Sequence, residues 1–292
     1  MKGVTILGLN AVWQKVLSLN ELGPGSVHRT EAPSHFFSGK GGNVAVAMER
    51  LGSPDIELIQ ALGGQPGEWI IEDMKRFEIT PKVTWIRGNT RVCTTLTEAD
   101  GRTTELIEPS PEMTKVEWDE LAQLVAVNLQ EKRDVLICGS FPEGDPEALL
   151  QVLSQRVQGV VLWVDGLRED ILALKPDVLK INQRELRSLV SSSGTVFEGC
   201  EEVSKKFLIP TLIITDEKGP VSLWSDGHRM EINVPPLEKV VNTTGAGDTF
   251  FGALVHARQT GLNWEEAIGR AVSWAGLRCG LTNVEDLPKL DK

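Results

Sequence analysis

The chain has 292 residues, 41% hydrophobic and 24% charged, which is the size and composition of one sizeable folded core. A net charge of −11 argues against nucleic acid as the main partner, because phosphate contacts along a duplex need clustered Lys and Arg. Cys93, Cys138, Cys200 and Cys279 form no Cys-x-x-Cys pair and the histidines no His-Glu-x-x-His, which speaks against a zinc site or a disulfide framework and for a reducing cytoplasm. Val4–Leu9 reads as a first buried strand, too short for a signal peptide. Residues 11–40 show β-like alternation with polar turns and no helical period. A helix is predicted over Gly42–Leu51, a strand over Ile56–Ala61 and a helix over Trp69–Phe77. Residues 86–108 alternate again: Thr90–Thr97, the Asp100-Gly101 turn and Thr103–Ile107 read as a hairpin. Further strands are expected at Val135–Cys138, Val160–Val164, Val178–Ile181 and Leu212–Thr215. Further helices are expected at Lys115–Asn128, Pro146–Arg156, Arg184–Ser191, Cys200–Phe207, Asp248–Gln259 and Trp264–Cys279. No apolar run approaches the roughly 18 residues of a membrane span.

Strands interleaved with helices imply βαβ units and a mostly parallel sheet covered on both faces, an α/β fold. Such sheets bind ligands at the carboxyl ends of their strands. Residues 11–40 and 86–108 break the rhythm and are read as one small sheet projecting from the core. With no linker or internal repeat, residues 1–292 are read as a single domain.

Asn242-Thr243-Thr244-Gly245-Ala246-Gly247-Asp248 runs into an apolar helical stretch. Glycines at a helix start let the backbone approach a ligand, and the free N–H groups there attract anions. Asp248 adds a carboxylate at that point, which suits removal of a proton from a nucleophile while the backbone holds the growing charge. On this segment alone, a capping aspartate after a glycine turn is the other reading. Asn182 and Glu185 stand three apart at a helix start, the spacing of a capping box, which is compatible with support of a metal. Asn43 opens a helix behind Gly41 and Gly42, and its amide can cap that helix or both donate to and accept from hydroxyls.

These segments resemble, in order, the ribokinase-like (PfkB) carbohydrate kinases, nearest to the phosphosugar kinases of the 1-phosphofructokinase and tagatose-6-phosphate kinase branch. The residues that carry the likeness are Leu9–Lys15, Ser38–Ala45, Thr90-Arg91, Thr104–Pro109, Cys138–Gly144, Lys180–Leu186 and Asn242–Asp248, and they span nearly the whole chain. The resemblance implies a doubly wound α/β core with a β-sheet lid over the sugar, the lid falling at residues 11–40 and 86–108 and packing across a homodimer. It implies transfer of phosphate from ATP, with Mg²⁺, to a hydroxyl of a phosphorylated hexose. Asp248 is then the catalytic base, and Gly245, Ala246 and Gly247 offer N–H groups to the transferring phosphate. Asn182 and Glu185 stand around the magnesium and its water, and Lys180, just upstream, would meet a nucleotide phosphate or else be an ordinary surface lysine. Thr215 and Gly219, in Ile214–Gly219, are the nucleotide-loop candidates. That loop is one residue shorter than the family's and lacks its first glycine. Lys40, behind Gly39, and Arg91 would clamp a phosphate already on the sugar, while Asn43 and Gln14 would meet its hydroxyls. Arg29 and Arg102 are lid residues read mainly as solvated.

Gln14 is the main departure, since the branch has an aspartate there that grips two hydroxyls. It opens the acceptor to tagatose 6-phosphate, fructose 6-phosphate or an unphosphorylated sugar. Together with the short nucleotide loop, it also raises the alternative of a non-catalytic sugar-phosphate sensor. A dinucleotide-dependent oxidoreductase ranks last, because no Gly-x-Gly-x-x-Gly follows the first strand.

Overall fold

A computed structural model gives the fold, described here for all residues except Glu31, Ser192, Ser193, Lys218, Glu238, Asp291 and Lys292. In chain order, β1 (Val4–Asn10), β2 (Val12–Leu19) and β3 (Ser34–Ser38) precede α1 (Lys40–Arg50). Then follow β4 (Ile56–Leu62), α2 (Gly64–Met74), β5 (Ile79–Trp85), β6 (Arg91–Glu98) and β7 (Thr103–Ile107). The next elements are α3 (Lys115–Leu129), β8 (Asp134–Cys138), α4 (Glu147–Ser154), β9 (Leu162–Asp165), α5 (Glu169–Leu172) and β10 (Val178–Asn182). The chain continues through α6 (Gln183–Leu189), α7 (Val196–Phe207), β11 (Thr211–Thr215), β12 (Val221–Ser225), β13 (His228–Ile232), α8 (Ala246–Gln259) and α9 (Trp264–Cys279).

Among the described residues, a nine-stranded sheet runs β13-β12-β11-β10-β9-β8-β1-β4-β5. Strands β5 to β11 in that row are parallel, and β12 and β13 add an antiparallel edge. Side chains alternate across each strand. Thus β1 sends Val4 and Ile6 into a core beneath α1, α8 and α9, and Leu7 and Leu9 into a second core beneath α3, α4, α6 and α7. One close approach fixes α1 against the sheet. A Cβ on Gly41 would collide with the Gly8 backbone of β1, so only glycine lets this helix start touch the strand.

The second sheet is the four-stranded β3-β2-β6-β7. Strand β2 pairs antiparallel with β3 and parallel with β6, and β6 and β7 form the hairpin expected around Asp100-Gly101. This sheet forms a lid beside the core. Trp13 packs on Trp69, with ring centroids 5.6 Å apart, and edge-on to His35, so it fills the base of the lid. No helix among the described residues is long and apolar enough to cross a membrane.

Four elements were not foreseen. Strand β5 is an edge strand with Pro81, and only Ile79 and Thr84 of it are buried, so its alternation is weak. The β12–β13 hairpin turns at Asp226-Gly227, a turn signal that sequence reading can use. Helix α5 has only four residues, too few to show a period.

Candidate active site

The candidate residues gather at the carboxyl edge of the parallel sheet, where Asn10, Asp165, Asn182 and Thr215 are the last residues of β1, β9, β10 and β11. The order of connection reverses between β1 and β8, and this is the crevice in which doubly wound sheets hold ligands. Asn10 spans it, its Nδ2 donating to Ser140 Oγ at 2.9 Å and to Ser110 Oγ at 2.6 Å.

Helix α8 starts two residues earlier than expected, at Ala246, with Gly245 as its N-cap at φ 80°. That left-handed conformation favours glycine, and a Cβ there would also strike Val284. Asp248 is therefore the third residue of the helix and lies inward at 8% exposure. Asn43 Nδ2 donates to Asp248 Oδ2 at 2.7 Å, and Ser38 Oγ donates to Asn43 Oδ1 at 3.2 Å. The carboxylate is thus aimed by α1 rather than by its own helix end. No bond from the Asp248 side chain caps α8, which disposes of the capping reading. The backbone donors differ in part from expectation. Ala246 N–H is spent on Thr243 O at 3.1 Å, whereas Gly247 and Asp248 N–H have no intrahelical acceptor by helix geometry.

Arg278, almost fully buried on α9, reaches the loop before α8 by donating to Asn242 O at 3.2 Å and holds the turn after its own helix by donating to Leu281 O and Thr282 O at 2.9 and 3.3 Å. Thr244 N–H donates to Asn242 Oδ1 at 2.9 Å, closing the turn. Nothing in the local sequence marked Arg278, since its role depends on a loop 36 residues away.

Asp165 is the residue that sequence reading missed. It is fully buried, with Lys40 Nζ at 3.0 Å from Oδ1 and Lys180 Nζ at 3.1 Å from Oδ2. The available signal was an aspartate ending a buried parallel strand, but the predicted strand stopped at Val164. Burial pushes the Asp165 carboxyl up, but Lys180 and Lys40 outweigh it and hold the group below the usual carboxylate range. Burial likewise draws Lys40 down, and Asp165, Asp248 and Glu185 reverse this, leaving its pKa raised. For Asp248 burial dominates. Lys40 pulls its pKa down, Asp165 pushes it up, the Asn43 hydrogen bond lowers it, and the balance lies above the usual aspartate value. A Cβ on Gly247 would lie 3.3 Å from Lys180 Nζ, so that ammonium sits against the open backbone of α8. Two lysines, two carboxylates and a helix N-terminus thus meet in one place, which suits handling of negative charge and of a proton.

On the lid side, Gln14 is nearly buried and donates through Nε2 to Thr95 Oγ1 at 2.8 Å and to Lys15 O at 3.4 Å, leaving its Oε1 uncommitted among the described residues. A crevice of about 20 Å³ between lid and core is lined by Gln14, Phe36, Thr95, Asn43, Thr244 and Arg278. Arg91 lies beside the Asn10 strand end, with Nη2 3.4 Å from Asn10 O and Nε buried without a partner among the described residues. Gly39 caps α1 without a side-chain bond. Arg102 is consumed by Asp100 and Glu98, and Arg29 is exposed.

Asn182 and Glu185 make a capping box. Asn182 Oδ1 accepts Glu185 N–H at 2.8 Å, and Glu185 Oε2 accepts Asn182 N–H at 2.7 Å. This leaves Glu185 Oε1 outside the box. Thr215 lies beside Asn182 in the sheet register, and its Oγ1 donates to Ile181 O at 3.5 Å. Gly219 closes a turn on Asp216 O at 2.5 Å, and Lys218 of the same loop lies outside the described residues. Among the described residues no hydrogen bond joins Gly219 to the charged centre. Among the described residues no group of three His, Cys, Asp or Glu could hold a metal. One carboxylate and an amide, with water, suit magnesium held largely by phosphates. A wider cavity, about 320 Å³, lies at the opposite edge of the sheet. The converged charges, not cavity size, make the carboxyl edge the candidate reactive end.

Comparison with known proteins identifies the family. The family model for pfkB family carbohydrate kinases matches residues 4–290. The chain is 27% identical over 298 residues to 1-phosphofructokinase of Escherichia coli K12, covering 98% of this chain and 95% of that protein. It is 24% identical over 294 residues to D-tagatose-1-phosphate kinase of Bacillus licheniformis, covering 97% and 95%. Among solved structures, phosphofructokinase-2 of Escherichia coli superposes with a TM-score of 0.87 at 22% identity, covering 98% of this chain and 95% of that one, which is a likeness of fold. The chain belongs to the pfkB family of carbohydrate kinases.

Proposed function

We propose that this carbohydrate kinase transfers phosphate from ATP to a hydroxyl of a phosphorylated hexose, with fructose 1-phosphate as the first acceptor to test. The names of the curated relatives, a 1-phosphofructokinase and a tagatose-1-phosphate kinase, support a ketose 1-phosphate. Lys40 and Arg91 are the cations that fit a phosphate on the acceptor, as a mobile point charge and a planar fork.

The observation that carries the mechanism is the buried Asp248 carboxylate, held at 2.7 Å by Asn43 beside the lysine pair. A sugar hydroxyl is a poor nucleophile, and Asp248 accepts its proton as the new bond to phosphorus forms. Burial makes Asp248 a stronger base than an exposed aspartate. Gly247 and Asp248 N–H, at the positive end of α8, face the charge that builds on the transferring group. Lys180 lies against the same backbone and supports the nucleotide phosphates, while Thr215 borders the nucleotide. Magnesium, which neutralises phosphate charge when bound, would be held by the phosphates and water, with Asn182 and Glu185 behind the water.

A coupled ADP-release assay with Mg-ATP tests the reading across fructose 1-phosphate, tagatose 1-phosphate, fructose 6-phosphate, tagatose 6-phosphate, fructose and ribose. Turnover concentrated on one phosphohexose is expected. Turnover only on an unphosphorylated sugar overturns the roles of Lys40 and Arg91, and silence without ATP binding favours a sensor.

Gln14 sets the acceptor's fit. Its Oε1 accepts one hydroxyl, where a carboxylate accepts two with charge assistance. Gln14→Asp is expected to lower KM for the preferred phosphohexose about tenfold with kcat little changed, the size of one charge-assisted bond. An unchanged KM in steady-state kinetics removes Gln14 from the acceptor site.

A further inference from the structure

A second site lies at the other end of the molecule. A cavity of about 320 Å³, within the usual range for small-ligand pockets, opens at the amino-terminal edge of the sheet. Its walls are Val161, Val178 and the indoles of Trp163 and Trp264, and its polar groups are Lys2, Asp134, Arg258 and Gln259.

The charges do not cancel. Asp134 is satisfied by three donors: Lys2 Nζ at 3.2 Å, Val161 N–H at 3.2 Å and Gln259 Nε2 at 3.0 Å. Arg258 has no carboxylate partner among the described residues. Its guanidinium lies over the Trp264 ring, 4.2 Å from the centroid, and Nη1 donates to Leu262 O. Burial alone lowers its pKa, and no carboxylate opposes the shift. Two cations therefore face one carboxylate in a chain whose net charge is −11. Trp163 is 4% exposed and its indole N–H has no acceptor among the described residues, so a further donor beside the cavity is unused there. Gln259 Oε1 is also buried without a partner among the described residues. Arg258, a half-buried cation without a carboxylate among the described residues, and the Trp163 indole donor cost free energy when left unmatched, and an anion is what would match them.

We propose that this cavity binds a small anion carried on a flat aromatic body, the ring packing along Trp163 and Trp264 and the acid group facing Arg258 and Lys2. Stacking on indoles favours flat rings, and a guanidinium already stacked on Trp264 presents its edge donors to an acid group. The site is separate from the catalytic end. Helix α8 carries Asp248 near its start and Arg258 and Gln259 at its finish, about 15 Å apart at 1.5 Å per residue.

The test uses naphthalene-1-sulfonate as the probe and uncharged 1-naphthol as its control. Both are titrated calorimetrically against the full chain with saturating Mg-ATP, which occupies the catalytic end. The sulfonate is expected to bind roughly tenfold more tightly than the naphthol, and Arg258→Met to abolish that preference while naphthol binding and ADP release persist. Lys2→Met, at an exposed position, is expected to reduce the preference in the same direction and serves if Arg258→Met does not fold. Equal affinity for the two probes, no binding of either at millimolar concentration, or a preference that survives the variant overturns the proposal. So does displacement of the sulfonate by Mg-ATP, which would place it at the catalytic end.

Discussion

Asp248→Asn is expected to lower kcat about 10³-fold, within the range attributed to a general base, while the protein stays folded. The amide keeps the shape of the side chain and can still accept the Asn43 bond, so geometry survives and basicity is lost. Stability should move the other way from activity. The folded-state pKa of Asp248 is raised, chiefly by burial, so its proton stabilises the fold at low pH and that contribution disappears as pH rises through the raised value. At neutral pH the wild type therefore carries the cost of a buried charge. The Asn variant is expected to melt at the same temperature or higher in differential scanning calorimetry. Activity in the wild type needs the ionised form, so kcat falls as pH drops through a pKa above the ordinary aspartate range. A variant with near-normal kcat, or a wild-type acid limb in the ordinary range, removes Asp248 as the base.

The second large effect is expected at Asp165. Asp165→Asn removes the carboxylate that holds Lys40 and Lys180, leaving two ammonium groups, one of them almost fully buried, facing a neutral amide. Breaking a buried ion pair by removing one partner costs about 3–5 kcal/mol, and a chain of this size would lose roughly 10 °C in melting temperature. The stability gap depends on pH. Asp165 has a depressed folded pKa, so its contribution is present above the unfolded value and is lost as pH falls through the folded one, and wild type and variant converge in acid. A second readout separates a role in the site from a purely structural one. Asp165 helps to raise the pKa of Asp248, so the acid limb of kcat should shift to lower pH in the variant. A limb that stays in place means that Asp165 only supports the fold.

Much of the fold was legible because buried parallel strands announce themselves as short apolar runs. β1, β4, β8, β10 and β11 all fell within a residue of their predicted bounds. The lid hairpin was legible from Asp100-Gly101. Strand β5 was hidden because an edge strand needs only one apolar face, and Pro81 argues locally against a strand. In the site, Asp248, Asn43 and the Asn182–Glu185 pair stand at helix starts, where glycine and capping patterns mark the chain. Asp165 and Arg278 have no such punctuation. Their partners lie as much as 125 and 36 residues away, and only the packed sheet brings them together. The same holds for the Gln14–Thr95 contact, set by the parallel pairing of β2 and β6.

The most direct test of the central claim is to follow fructose 1-phosphate, Mg-ATP and the protein by ³¹P nuclear magnetic resonance. Transfer to a sugar hydroxyl predicts that ATP gives way to ADP while a second sugar phosphomonoester signal grows in equal amount. An unchanged spectrum, or loss of ATP to inorganic phosphate alone, contradicts it.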